Sequence, residues 1–131
     1  MSALRLEKII REMFAIFTDF DSTPNRLLDF MTPDYRQFVD GREMTLDDFQ
    51  AHTHALRNTL GSLEIDIQHI VCEGNKAATV HVAHARRLSG EQSRIKVVAF
   101  YQFRKERICL VDELTRVLES SGSDQELGAL Q

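Results

Sequence analysis

The sequence predicts an α+β fold in which three N-terminal helices pack against a curved, mostly antiparallel sheet. Apolar residues recur at helical spacing through roughly the first 60 residues. From Leu63 onward they alternate with polar residues instead, in four runs separated by short turns. Helices followed by consecutive strands are typical of the α+β class. The chain has 131 residues, enough for one domain; we expect it to span 1–118, with a flexible C-terminal tail over 119–131.

The three helices have recognisable starts. In the second, Thr23 and Pro24 suit the N-cap and the first helical position. In the third, the hydroxyl of Thr45 can cap the amide of Asp48, and Gly61 suits the position just past the end. The first helix is predicted from its apolar stripe, which consists of Leu6, Ile9, Ile10, Met13, Phe14 and Phe17.

Alternation of apolar and polar residues predicts the long strands in the second half of the chain. A short strand is expected at 35–40, before the third helix. The four later strands lie in "LEIDIQHIVC", "AATVHVAHARRL", "RIKVVAFYQFR" and "ICLVDELTRVL". Because "EGNK", "SGEQ" and "KER" between them are short, neighbouring strands pair as hairpins.

Charge and composition exclude several classes of function. The net charge is −4, with acids and bases interspersed, so there is no basic stripe for nucleic acid. No apolar run reaches the ~20 residues of a membrane span, and the first residues lack the apolar core of a secretory signal. Cys72 and Cys109 are far apart, which suits two reduced thiols in a cytoplasmic protein. A disulfide or a reactive cysteine is the alternative.

The last three strands are apolar on both faces, whereas three helices of modest length cover only one face. An uncovered apolar face usually marks a partner surface, so we expect a symmetric homodimer through the sheet. Alternatively, the C-terminal tail folds back over this face. The apolar residues of the face expected to form the dimer are Val80, Val82, Val98, Phe100, Leu110 and Leu114.

The five histidines do not have metal-ligand spacing. His81 and His84 are three apart on a strand, so they point to opposite faces of the sheet. His52 and His54 are two apart on a helix, roughly 200° around its axis. We therefore expect no metal and no other cofactor.

Four segments carry a resemblance to a known family: "FTDFD", "YRQFVDG", "EGNKAATVHV" and "VVAFYQFRKERICLVDELTRVLE". In their order and pattern, residues 4 to about 118 resemble the nuclear-transport-factor-2-like superfamily, in its SnoaL-like and ketosteroid-isomerase-like branch. The resemblance implies a cone, with a curved sheet around the helices and a pocket at the open end.

The resemblance also implies which side chains point into the cone. Pairing with the family strands directs His81, Tyr101 and Glu113 inward, and His84 and Asp112 towards the outer face that forms the dimer. A slip of one residue would invert every assignment. The residues expected to line the pocket are Phe14, Phe17, Phe38, Ala83, Ala99, Val111 and Thr115.

The implied chemistry is acid–base catalysis without a cofactor. A carboxyl among apolar side chains has a raised pKa, as a general acid or base at neutral pH requires. We assign Asp40 or Glu113 as the base, His81 as its partner and Tyr101 as the donor to an oxyanion. Ketosteroid isomerase also uses a tyrosine on the first helix, which is missing here, so steroid isomerisation is not expected.

The expected function is binding or conversion of a small apolar carbonyl or hydroxylated ligand, of isomerase, cyclase or dehydratase type. Two alternatives stay open. The inward polar residues can simply satisfy one another as a buried network. The whole domain can also be a dimeric module that binds a ligand or a protein without catalysis.

Overall fold

The computed structural model describes residues 2–120 of the chain. It confirms an α+β fold in which an α-helix, a 3-10 helix and a second α-helix precede most of a six-stranded, open sheet. The α-helices are α1 (Ala3–Thr18) and α2 (Leu46–Thr59), and the 3-10 helix is Pro24–Phe30. The strands are β1 (Met31–Val39), β2 (Arg42–Thr45), β3 (Leu60–Glu73), β4 (Lys76–Arg87), β5 (Gln92–Arg104) and β6 (Arg107–Ser120).

The helix starts are set by local capping, as predicted. Thr45 accepts a hydrogen bond from the amide of Asp48, whose carboxylate accepts one from the amide of Thr45 in return. Thr23 caps the 3-10 helix, which has Pro24 as its first residue. Every residue of the predicted α1 stripe is buried, and Arg57 of α2 donates to the carbonyl of Ile16 at 3.0 Å, which ties α2 to the end of α1.

The sheet order is β2-β1-β6-β5-β4-β3, and β1 runs parallel to β6. The other neighbours pair antiparallel, with β3 to β6 as the predicted meander. The expected short strand at 35–40 is longer and begins at Met31, but it ends one residue before Asp40. Asp40 (φ 52°) and Gly41 (φ 86°) are both in the left-handed region and form the β1–β2 turn. That pair of dihedrals matches the tight turn that antiparallel hairpins prefer.

The concave face of the sheet packs on the helices and forms the hydrophobic core. Strand alternation places His81 on this face, where it is buried, and half-buried His84 on the convex face. Cys72 and Cys109 are separate thiols, as predicted. The predicted tail begins inside β6, which continues through Ser120, and the rest of it, 121–131, lies outside the described residues. No helix among the described residues has the length and apolar character needed to cross a bilayer.

Candidate functional site

Three of the four predicted catalytic residues lie on the concave face of neighbouring strands. His81 is on β4, Tyr101 on β5 and Glu113 on β6, and each is at most 1% exposed. Ala99 pairs with Glu113 on one side and with Thr79 on the other, so a small side chain separates the polar groups of β6 and β4. The structure thus brings these three side chains onto one buried surface.

Glu113 is held by a hydrogen-bond chain from β1. The hydroxyl of Tyr35 donates to Oε1 of Gln37 at 2.7 Å, and Nε2 of Gln37 donates to Oε1 of Glu113 at 2.6 Å. These partners meet because β1 lies parallel beside β6, with Val39 opposite Glu113. Oε2 of Glu113 is also buried, and no described residue donates a hydrogen bond to it. The two oxygens of this carboxyl therefore have different environments.

The environment of Glu113 favours its neutral form. Burial raises the pKa of this carboxyl well above its ordinary value, and the charges of Asp40 and Asp112 raise it further. The hydrogen bond from Gln37 acts in the opposite direction, because it stabilises the carboxylate. Since Oε1 accepts from Gln37, the proton of the neutral acid belongs on Oε2.

A second hydrogen-bond chain links the other two residues through Thr79. Its Oγ1 lies 2.9 Å from Nδ1 of His81 and 2.8 Å from the hydroxyl of Tyr101, and all three side chains are buried. Burial raises the pKa of Tyr101 far above its ordinary value, opposed by the hydrogen bond with Thr79, and the charge of Glu113 raises it further. Tyr101 therefore remains a neutral phenol with a proton to donate.

Most of the predicted lining lies in the core around these chains. The ring of Phe14 packs on that of His81 with centroids 4.9 Å apart, and Phe17 is buried nearby on α1. Ala83, Ala99 and Val111 are buried on the concave face.

The prediction for Phe38 is wrong. Phe38 lies on the convex face, where the guanidinium of Arg36 covers its ring, because Tyr35, Gln37 and Val39 occupy the inward positions of β1.

Asp40 lies apart from the buried chains. Its carboxylate is exposed and accepts hydrogen bonds from the backbone amide of Thr115 at 2.9 Å and from its hydroxyl at 2.5 Å. The amide of Asp40 donates to the carbonyl of Glu113 at 2.9 Å. Asp40 and Thr115 therefore join the β1–β2 turn to β6, and both oxygens of Asp40 are already engaged.

An open groove of ≈ 390 Å³ runs between α1 and β3 beside the buried site. Phe14 is part of its wall and also contacts His81, so its ring separates the groove from the Thr79 chain. Ile67 pairs with His81 across β3 and β4 and forms another part of the wall. The groove therefore reaches the ring of Phe14, which is in direct contact with His81.

The sequence did not assign roles to Tyr35, Gln37 or Thr79. Thr79 is two residues from His81 on β4, and Gln37 is two residues from Tyr35 on β1. Residues two apart on a strand point to the same face, so alternation could have placed all of them inward. Each chain also needs a partner on another strand, Glu113 for Gln37 and Tyr101 for Thr79, and the sequence pattern did not indicate which inward residues would meet. Within residues 2–120, no three His, Cys, Asp or Glu side chains are grouped as metal ligands would be.

Comparison with known proteins agrees with this architecture. A family model described as the SnoaL-like domain matches residues 10–111, most of the chain. The chain belongs to the SnoaL-like family. An uncharacterized protein of Schizosaccharomyces pombe is 61% identical over 125 residues, covering 95% of this chain and 96% of that one. The resemblance inferred from the sequence is confirmed.

Two solved structures share the fold at low sequence identity. AclR of Streptomyces galilaeus, provisionally described as a hydroxylase, superposes with a TM-score of 0.78 and 14% identity, over 89% of this chain and 82% of AclR. A protein of Jannaschia sp. CCS1, provisionally described as a SnoaL-like polyketide cyclase, gives 0.71 and 13% identity, over 86% of each chain. At these identities the likeness establishes the fold alone.

Proposed function

We propose that this SnoaL-like domain binds a small apolar carbonyl or hydroxylated ligand and converts it by acid–base chemistry without a cofactor. The observation that carries the proposal is Glu113, a buried carboxyl with one oxygen held by Gln37 and the other without a donor among the described residues. Burying such a group is costly, and perturbed carboxyls of this kind concentrate at functional sites.

The roles follow from the chemistry of each group. Oε2 of Glu113 gives or takes the proton next to a ligand carbonyl, because it is the oxygen that Gln37 leaves available. Tyr101 donates to the developing oxyanion. His81 acts on Tyr101 through Thr79 instead of on Glu113, which revises the pairing expected from the sequence.

The ligand class follows from the surroundings. The concave face around Glu113 is formed by alanine, valine and aromatic side chains, which favour an apolar ligand body. The groove between α1 and β3 supplies the entry route, and the ring of Phe14 must move for a ligand to reach His81. The proposed ligand therefore has an apolar body that carries a carbonyl or hydroxyl group.

The test is deuterium exchange with a panel of cyclic ketones and enones. Proton abstraction beside the carbonyl, followed by reprotonation from D2O, incorporates deuterium at that carbon, which proton NMR detects. We expect the protein to accelerate exchange for at least one compound. Only the ionised carboxylate of Glu113 can abstract this proton, so exchange should rise with pH as more of Glu113 is ionised. At a pH where wild type exchanges measurably, Glu113→Gln should reduce the rate by roughly 10²–10⁴-fold, the usual contribution of a general base.

The matched control is Glu64→Gln, the same chemical change at an exposed position of β3. This variant should catalyse deuterium exchange into the ketone at the wild-type rate. If no compound is exchanged faster with wild type than with Glu113→Gln, the catalytic proposal fails. If a compound then raised the melting temperature of wild type and of Glu113→Gln by the same amount, the result would favour a binding module without catalysis.

We also propose that the convex face of the sheet forms a homodimer. Val98 is 50% and Leu114 67% exposed, and they pair with each other across β5 and β6, beside exposed Phe100. Large apolar side chains grouped in this way favour a partner surface. Of the other residues expected there, Val80, His84 and Leu110 are half-buried and Val82 is buried.

Charge makes this face complementary to a second copy of itself. Beside the Val98–Leu114 pair, Lys96 pairs with Arg116 towards one end, and Asp112 lies towards the other. A two-fold axis through Val98 and Leu114 brings the cationic end of one protomer onto Asp112 of its partner. The occupant that fits is therefore another copy of this chain.

Leu114→Glu should convert the dimer to a monomer. It places a charge at the centre of the proposed interface and adds to the acidic side of the patch, so association should weaken by at least tenfold. Sedimentation equilibrium at micromolar concentration measures this. Leu4→Glu, at an exposed position of α1, should leave the dimer intact; a wild-type protein that sediments as a monomer would rule the interface out.

A further inference from the structure

Thr79 occupies the centre of the hydrogen-bond chain between His81 and Tyr101. We infer that Thr79 is a positioning residue that selects the neutral tautomer of His81 and thereby controls whether Tyr101 can donate its proton to a ligand. The geometry that carries this inference is one buried hydroxyl at 2.9 Å from Nδ1 of His81 and 2.8 Å from the hydroxyl of Tyr101.

A hydroxyl group has one proton, so Thr79 donates to only one of these neighbours and accepts from the other. In one arrangement Tyr101 donates to Thr79, and Thr79 donates to Nδ1 of His81. In the other, Nδ1–H of His81 donates to Thr79, and Thr79 donates to the phenol oxygen of Tyr101. The two arrangements require different protonation of Nδ1.

The first arrangement is expected without a ligand. A phenol is a stronger hydrogen-bond donor than an aliphatic hydroxyl, and an imidazole nitrogen is a stronger acceptor than a phenol oxygen. When donation runs from Tyr101 through Thr79 to His81, the chain begins with the strongest donor and ends with the strongest acceptor, and each hydrogen bond polarises the next. His81 then carries its proton on Nε2.

The direction of the chain matters for the proposed function, on which this consequence rests. While Tyr101 donates to Thr79, its proton is not available to a ligand carbonyl. Tyr101 becomes a donor to the ligand when the chain reverses, and reversal requires the proton of His81 on Nδ1. Thr79 thus couples the tautomer of His81 to the donor needed for an oxyanion.

The tautomer is measured by nitrogen-15 NMR of the histidine side chains. Wild type should show His81 with an unprotonated Nδ1 and a protonated Nε2. Thr79→Val has nearly the same shape but no hydroxyl, so the single-tautomer signal of His81 should be lost to a mixture. Thr79→Ser should restore it. His84, on the opposite face of β4, is the internal control and should be unchanged.

If His81 of the ligand-free wild type is protonated on Nδ1, the inferred direction of hydrogen-bond donation, from Tyr101 through Thr79 to His81, is wrong. A Thr79→Val protein with an unchanged His81 signal and a native circular dichroism spectrum would overturn the role of Thr79.

Adding a ketone that undergoes exchange should move the proton of His81 to Nδ1 in wild type but not in Thr79→Val. If no ketone is exchanged, the proposed function fails while the ligand-free tautomer still tests the inference.

Discussion

Glu113→Gln should make the protein more stable, and the gain should grow as the pH rises. In the unfolded chain the carboxyl ionises near its ordinary pKa, about 4.3. In the folded protein burial keeps it neutral, because its pKa is raised well above that value. Between the two pKa values the unfolded state releases a proton that the folded state retains, so wild type loses about 1.4 kcal/mol of unfolding free energy per pH unit.

Below the ordinary pKa, Glu113 is protonated in both the folded and the unfolded state of wild type, and the stability linked to its proton is fully present. It is lost as pH rises towards the folded pKa. The amide that replaces the carboxyl in Glu113→Gln cannot ionise and keeps an oxygen that accepts from Gln37, so the variant lacks this slope. Urea unfolding from about pH 4 to pH 8 measures the difference. Glu64→Gln should follow wild type at each pH; parallel curves for wild type and Glu113→Gln would show that Glu113 is not held neutral.

Gln37→Leu should destabilise the protein and make it more sensitive to pH. Gln37 is fully buried, and its amide supplies the hydrogen bond to Oε1 of Glu113. Removing a donor from a buried acceptor costs about 1–3 kcal/mol. That bond also holds the pKa of Glu113 down against burial, so its loss should raise the pKa further and extend the pH range over which stability declines.

A double-mutant cycle separates the pair from general damage to the core. Gln37→Leu should cost less in a Glu113→Leu background, because both polar groups are then replaced by apolar ones. Gln68→Leu, the same substitution at an exposed position of β3, should change stability by less than about 0.5 kcal/mol. Equal costs of Gln37→Leu in both backgrounds would mean that the hydrogen bond with Glu113 contributes nothing.

Local signals in the sequence were enough for the helices and the four long strands. The α1 stripe depends on a spacing of three to four residues, and the start of α2 depends on Thr45 and Asp48, three residues apart. The stripe repeats the period of the helix and the capping pair lies within one turn, so both are readable without knowing the rest of the fold. Alternation likewise separated His81 from His84, because successive strand residues face opposite sides.

The short strand before α2 was harder to predict. Its first residue is Met31, and it ends at Val39, so Asp40, which was expected as the last residue of the strand, adopts a turn conformation. Phe38 then falls on the convex face. A strand without a clear alternating run gives no independent sign of its register, and one residue reverses every assignment.

The sequence by itself determined the fold class, the core stripe of α1 and the separation of His81 from His84 onto opposite faces of the sheet, and its family resemblance implied that His81, Tyr101 and Glu113 point inward. Only the tertiary structure decided their partners: Gln37 meets Glu113 across 76 residues of chain, and Thr79 stands between His81 and Tyr101. The physical reason is that periodicity specifies which way a side chain points from its own strand. The hairpin between β4 and β5 was predicted, but the strand beside Glu113 depends on β1 returning parallel to β6, a contact that no local pattern encodes.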